Sequence, residues 1–365
     1  MVTAYRPTPL ARPAWADPYV LLAGDGHCHV SPPDNPWHVE RNLATTIEIA
    51  RDEDLDFIVL TPHVPARFFA DPELREYVAR EQRALVESVS RMGVTDLALI
   101  VGFEYTDHDF GHATVAFADL DRVLATVLLD EAAAHPALFF ERYSALGGLV
   151  WVNHPYFLPV DSSLPTADWN LSWRGWTTRR ELPEEIAAIE RTMVGAEAYN
   201  LTLDHLRDRF VGGDAHASLD SAMRQLELEM RRQQRRLVPT GGTDSHQEYL
   251  RSTVFVLAEG RGLAQIRDAF LRGRVCIKSP NACSLQVRLP GGAWRPLGAS
   301  VRSESSIEVR AFGDEIEVLV DGQSVAIPSS GEVVRIPVSA DRGCTFVRVR
   351  VDGGESAWSY VNCAF

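Results

Sequence analysis

Hydrophobic runs in this chain end, one after another, in histidine or carboxylate. VLLAG leads into Asp25-Gly26-His27-Cys28-His29, FIVLT into Pro62-His63, and LALIVGF into Glu104, with His112 close behind. GLVWVN leads into His154-Pro155, AEAYN carries Glu197, and LVPTGGT leads into Asp244-Ser245-His246. A polar ligand at the carboxyl end of each strand is what a ring of β/α units needs if its strands are to converge on one metal cluster.

The spacing between these runs supports such a ring. Strands are expected at 19–23, 57–61, 97–103, 113–117, 148–153, 194–199, 236–241 and 253–257. Helical spacing fills the intervals at 40–53, 72–92, 136–146, 182–192, 217–236 and 262–272, and Asp71-Pro72 is an N-cap followed by proline in the first turn. Alternation of this kind predicts parallel βα units in a closed or distorted barrel. The pattern changes near Ser279-Pro280. Beyond it, short alternating strands at 284–289, 306–312, 315–320, 333–338 and 346–351, separated by glycine-rich turns, predict a small β-sandwich. The expected division is therefore 1–280 and 281–365. One long stretch, 156–181, fits neither pattern and carries Trp169, Trp173 and Trp176, which suggests a lid or an apolar wall at the barrel mouth.

The formal net charge of -14 argues against a broad nucleic-acid-binding face or an anionic membrane surface. An anionic small-molecule substrate stays open, because bound ions dominate the local field. Five scattered cysteines without CxxC spacing (Cys28, Cys276, Cys283, Cys344 and Cys363) read as reduced thiols in a cytoplasmic protein. The N-terminus has no continuous apolar segment of the signal-peptide kind, and no run approaches a membrane span. Oligomeric state is not legible.

In a strand, His27 and His29 point the same way and can reach one ion, with Cys28 facing away. Glu104 ends a very hydrophobic strand with no lysine or arginine nearby in sequence, so its buried charge calls for a partner. The order HxH, Thr-x-His, Gly-x-Glu, His-Pro, Glu-x-Tyr-Asn and Gly-x-Asp-x-His resembles the PHP (polymerase and histidinol phosphatase) superfamily over about residues 20–280. The later LAQIRDAFLRGRVCIKSPNACSLQVRL and the ending AWSYVNCAF resemble its CehA/McbA-like branch, which includes carbaryl hydrolases.

The resemblance implies an α/β fold, a distorted (β/α)7 barrel followed by an immunoglobulin-like β-sandwich, and two or three divalent ions (Mn, Fe or Zn). It implies His27, His29, Glu104 and Asp244 at one ion, with Glu104 bridging to a second ion held by His154 and His112. His108 competes with His112 for that place. A third ion would take His63 and His246, with Asp34 or His38 as the remaining ligand. Two departures bear on this corner: Pro62 stands where relatives carry aspartate, and Pro33-Asp34-Asn35 replaces a Ser-Asp-Gly. The implied reaction is metal-assisted hydrolysis, with a phosphoester as the first expectation and a carbamate or carboxyl ester as the alternative. A non-catalytic scaffold would instead have lost its ligands. His246 or His63 is the expected proton donor to the leaving group, and Glu197 an expected outer carboxylate that orients a ligand histidine. Lys278, Arg251, Tyr156 and Trp173 are the expected substrate contacts.

Overall fold

In a computed structural model, the chain is described at residues 13–107, 109–155, 173, 176, 183–210, 218–339 and 343–365. His108, Tyr156 and most of the 156–181 stretch lie outside the described residues. The fold is mixed α/β, and the chain divides into two compact units that do not follow a single cut along the sequence. The first holds 25–217 and 242–251; the second holds 9–24, 218–241 and 252–365.

The first unit contains the polar strand ends. Its sheet runs from the end of Val20–Cys28 through Phe57–Leu60, Ala98–Asp107, Gly111–Ala116 and Leu149–Val152 to Gly195–Asn200. Not every strand is parallel. Phe57–Leu60 runs parallel to Ala98–Asp107, and Leu149–Val152 parallel to Gly195–Asn200, but Gly111–Ala116 is antiparallel to both of its neighbours. The expectation of uniform parallel βα units fails there because only a few residues join Ala98–Asp107 to Gly111–Ala116. A parallel crossover needs a dozen or more, so the chain turns back as a hairpin.

Cys28, Val30, Ile47, Ala50, Leu55, Ile58, Leu60, Leu85, Leu97, Leu99 and Leu250 pack into one core. The alternation of the first strand thus places Cys28 inward, with its thiol 3.4 Å from the carbonyl of Val59, while His27 and His29 face the other way. Helix Leu43–Asp52 is capped by Asn42, whose side chain accepts from the Thr45 N–H. Helix Pro72–Met92 is capped by Asp71 at its start and ends at Gly93, where φ is +59° and a side chain would be strained. A second apolar group, Phe68, Phe69, Phe103, Tyr105, Phe139, Phe140 and Tyr143, packs edge-to-face and tilted with ring centroids 5.3–6.3 Å apart.

The second unit holds two sheets. One joins Ser300–Val301, Ser359–Val361, Thr345–Val351, Gly354–Ser356, Val275–Ile277, Val254–Ala258 and the start of Val20–Cys28. The other orders Arg295–Pro296, Gln286–Arg288, Ser306–Arg310 and Val334–Pro337. Two disulfides, Cys276–Cys283 and Cys344–Cys363, correct the expectation of reduced thiols. Sequence spacing hid them because the fold creates the proximity. The turn at Pro280–Ser284 brings Cys283 back to Cys276, and the pairing of Thr345 with Val361 sets Cys344 beside Cys363. The cysteine-based ground for a cytoplasmic location is thereby removed. No helix among the described residues is long and apolar enough to cross a membrane.

Candidate metal centre

All eight histidine and carboxylate positions expected to bind metal lie in the first unit, and the structure gathers them around Glu104. This carboxylate is 1% exposed. Its Oε1 lies 3.5 Å from His27 Nε2, 3.2 Å from His112 Nδ1 and 3.3 Å from His154 Nε2. Its Oε2 lies 3.6 Å from His29 Nε2 and 3.3 Å from His63 Nε2. Asp244 faces the same space, with Oδ1 3.1 Å from His29 Nε2 and 3.5 Å from His27 Nε2. Two ligand atoms each about 2.1 Å from one ion, at right or tetrahedral angles, stand roughly 3.0–3.4 Å apart, so these spacings suit shared coordination.

The backbone makes this convergence possible. The segment after Gly242 lies along the first strand: the Asp244 N–H donates to the His27 carbonyl at 2.8 Å, and the His29 N–H to the Ser245 carbonyl at 3.2 Å. Gly242 is required here, because a Cβ at that position would sit 2.2 Å from His27 Cβ and 2.6 Å from Glu197 Oε1. His154 and Asp244 both adopt positive φ, +27° and +51°, where the chain bends at the strand ends.

The far nitrogens of His27, His29, His63 and His246 are occupied, and this fixes which nitrogen each presents. Glu197 Oε1 lies 3.3 Å from His27 Nδ1, while its Oε2 accepts from the His154 N–H and from Asn200. Asp34 takes two rings at once, with Oδ2 3.1 Å from His29 Nδ1 and Oδ1 2.9 Å from His63 Nδ1. The His246 Nδ1 donates to the Asp244 carbonyl at 3.0 Å. An acceptor on Nδ1 leaves the Nε2 lone pair free, which is how outer partners orient metal-binding histidines. The Nε2 atoms of His27, His112 and His246 are buried with no hydrogen-bond partner. Such atoms are costly unless something unseen binds them. The ligand types, the neutralising carboxylates and these orphaned nitrogens fit divalent ions. Four groups lie close enough to hold one: His27–His29–Glu104, Glu104–His112–His154, His27–His154–Glu197 and His29–His63–His246.

Protonation in the metal-free chain follows from the same contacts. Burial lowers the His29 pKa, but hydrogen bonds to Asp244 and Asp34 prevail and lift it to about 9. His27 and His154 are likewise raised, because Asp244, Glu104 and Glu197 outweigh burial. His246 is pushed down to about 3 by burial and the neighbouring His29. Glu104 and Asp244 are held below the usual carboxylate range despite burial, by the surrounding imidazoles.

Between the competing residues of the third corner, Asp34 is buried and touches two rings, whereas His38 is exposed, its ring centroid 4.4 Å from that of His246 and 5.2 Å from that of His63. Of the expected substrate contacts, Tyr156 lies outside the described residues. Lys278 is exposed in the second unit. Arg251 is ion-paired with Glu53. Trp173 is fully buried, its indole N–H 3.4 Å from Glu190, and Trp176 is buried too, so both serve packing and not an open wall.

Three supporting residues escaped the sequence. Asp25, fully buried, accepts from the backbone N–H groups of His27 and Thr243 and from the Thr243 hydroxyl, tying the two ligand-bearing strand ends together. Burial lifts its pKa to about 6 against these hydrogen bonds. Alternation was a signal for it, since Asp25, His27 and His29 are spaced by two. Asn153 donates to Glu104 Oε1 at 2.8 Å. Arg41, 1% exposed, donates to the carbonyls of His29, Ser245, Gln247 and Tyr249 and to the hydroxyls of Ser245 and Thr46. Nothing local in the sequence marks that arginine.

No protein-family model matches the chain, and no curated protein matches it. Among solved structures it is similar to a two-domain protein containing a predicted PHP-like metal-dependent phosphoesterase from Bacteroides vulgatus, at 18% identity and TM-score 0.47, over 96% of this chain and 95% of that one. It is also similar to the lesion-specific endonuclease PfuEndoQ from Pyrococcus furiosus, at 11% identity and TM-score 0.40, over 79% of this chain and 62% of that one. A third is a putative metal-dependent phosphoesterase from Bifidobacterium adolescentis, at 16% identity and TM-score 0.35, over 71% and 96% of the two chains. These likenesses are too distant to assign a family or an activity, and the functional reading rests on the residues.

Proposed function

We propose that this chain is a metal-dependent hydrolase of phosphoesters. The observation that carries the proposal is the convergence of buried imidazoles on Glu104, among them His27, whose Nε2 is buried without a hydrogen bond 3.5 Å from both Glu104 and Asp244. In this reading His27, His29, Glu104 and Asp244 would hold one divalent ion. Glu104, His112 and His154 would hold a second, and His63 and His246 would belong to a third position. Mn, Fe and Zn all suit this mixture of imidazole and carboxylate. Bound there, such ions would supply a Lewis acid that acidifies water and draws charge from a phosphoryl oxygen.

The chain's own residues do the rest. Glu104 reaches both ligand groups and binds them into one unit. Asp34 and Glu197 keep the Nδ1 protons in place and so aim His29, His63 and His27. Asp25 and Arg41 hold the strand ends that carry the ligands. His63 and His246, the more exposed members at 26% and 23%, border the side where a leaving group would depart, and either would pass it a proton only when its Nε2 is not held by an ion. With a third ion bound, charge would favour an anionic substrate. Asp34, Glu104, Glu197 and Asp244 bring −4 when ionised; two divalent ions balance this at 0, and a third leaves +2. The distorted (β/α)7 barrel and the immunoglobulin-like domain of the PHP resemblance complete the reading as its proposed architecture.

The test is hydrolysis of p-nitrophenyl phosphate, bis-p-nitrophenyl phosphate and 1-naphthyl N-methylcarbamate by protein reloaded separately with Mn, Fe and Zn. Turnover of a phosphoester that disappears with chelator supports the proposal. Turnover of the carbamate alone overturns the phosphoester assignment and leaves a carbamate hydrolase.

A further inference from the structure

The cluster is closed on one side and open on another. His27, His29, Glu104, His112 and His154 are buried, whereas the side chains of His63 and His246 are 26% and 23% exposed. His38, itself exposed, borders that open edge through its ring contacts with both. Among the described residues of the cluster, this edge is the one open to solvent. The residue joined to His38 is Trp37, 95% exposed and the most exposed of the large apolar side chains among the described residues.

This indole does not hang on a loose tip. The Trp37 N–H donates to the Asn35 side-chain oxygen at 3.0 Å, and the N–H groups of His38 and Val39 donate to the Asn35 carbonyl at 2.8 and 2.9 Å. The turn is tied to the cluster at both ends: the Glu40 N–H donates to the His246 carbonyl at 3.1 Å, and Asp34 grips His29 and His63. The turn thus holds a solvent-exposed indole one residue from His38, whose ring touches the open edge of the cluster, and an indole is a natural stacking partner for a planar ring. The tryptophans of the 156–181 stretch that the structure describes, Trp173 and Trp176, are buried and do not offer such a face.

We propose that Trp37 contacts the substrate and selects phosphoesters whose alcohol part is planar and aromatic, by stacking its indole on that ring. The proposal rests on the phosphoester reading above. A lone exposed tryptophan with no ligand would be the alternative, and it predicts no discrimination between aromatic and alkyl compounds.

Binding separates the two without turnover. Phenylphosphonate and methylphosphonate are titrated by calorimetry into the metal-loaded wild type, Trp37→Ala and Trp37→Phe. The wild type is expected to bind phenylphosphonate about tenfold more tightly than methylphosphonate, in line with the usual worth of one aromatic stack. Trp37→Ala should bring the two dissociation constants together by weakening phenylphosphonate alone, and Trp37→Phe should retain most of the preference. Equal binding of both compounds by the wild type, a preference that survives in Trp37→Ala, or an equal loss for both compounds overturns the role of Trp37 while leaving the phosphoesterase reading intact. If neither phosphonate binds the metal-loaded wild type, the phosphoester reading falls and this proposal with it.

Discussion

Two regions of the molecule bury several charges each, and they do so in opposite ways. In the second unit, Arg348 is fully buried and reaches Asp220, Glu227 and Glu355, while Arg350 reaches Asp220, Glu317 and Glu355. The Trp358 indole N–H adds a hydrogen bond to Glu227 at 2.7 Å. Each charged group meets an opposite charge, and none of their polar atoms is left without a partner. Around Glu104, by contrast, carboxylates meet imidazoles whose charge depends on protonation, and three buried ring nitrogens have no hydrogen-bond partner. Burial of charge therefore does not by itself mark a functional site. A completed network is architecture, and an incomplete one marks a candidate ligand site.

The largest effect that would sharpen this contrast is expected from Glu104→Gln. Removing the charge that joins the ligand groups should cost roughly a thousandfold or more in hydrolysis, since the metal-borne part of the rate is lost. Bound metal, read by elemental analysis, should fall together with the rate. A variant that keeps its metal and its rate would break the comparison at its centre.

Next comes Arg348→Met in the completed network. It leaves Glu227 with the Trp358 N–H but no cation, and Glu355 with Arg350 alone, a change worth about 3 kcal/mol of stability. Denaturant melting should show the loss, while metal content per folded chain stays at the wild-type value. Loss of metal from folded Arg348→Met would join the two regions and contradict their separation.

A smaller effect is expected from Asp34→Asn, which keeps the shape but weakens the grip on two imidazoles. Outer-partner changes of this kind lower metal affinity by about 10–100-fold. Titration of the apo variant should show this at nearly unchanged melting temperature. An unaltered affinity would mean that Asp34 does not aim His29 and His63.

The smallest effect is graded with pH. In the metal-free chain His29 has its pKa raised to about 9, so at neutral pH it carries a proton that an incoming ion must displace. Affinity should therefore rise as pH climbs toward 9 and fall as pH drops, by at most about tenfold per unit for each proton displaced. Calorimetry in two buffers of different ionisation enthalpy counts the protons released. No release at pH 7 would show that the imidazoles are not displaced from protonated to metal-bound form.

Much of the layout was legible in the sequence because periodicity and strand ends are local signals. Strands at 57–61 and 194–199 appear as Phe57–Leu60 and Gly195–Asn200, and the helix at 72–92 as Pro72–Met92. Histidines and carboxylates separated by up to more than two hundred residues meet at strand termini or one turn inside them: His154 and Asp244 follow strands, His63 and His112 open them, and Glu104 lies within Ala98–Asp107. What was hidden depends on how the chain turns back. Antiparallel Gly111–Ala116, the Cys344–Cys363 pair and the grip of Arg41 on the 245–249 loop all arise from proximity that no spacing rule records. The aromatic surface was sought among Trp169, Trp173 and Trp176 because of their density. Trp37, alone in a polar turn, gave no such signal, and only its exposure beside the cluster draws notice.

The most direct test of the central claim is the metal content of chain purified without chelator and then reloaded. The orphaned nitrogens around Glu104 predict two or three equivalents of Mn, Fe or Zn per chain, removed by chelator and restored on reloading. Less than one equivalent after reloading, in protein whose far-UV circular dichroism shows it folded, would contradict the account.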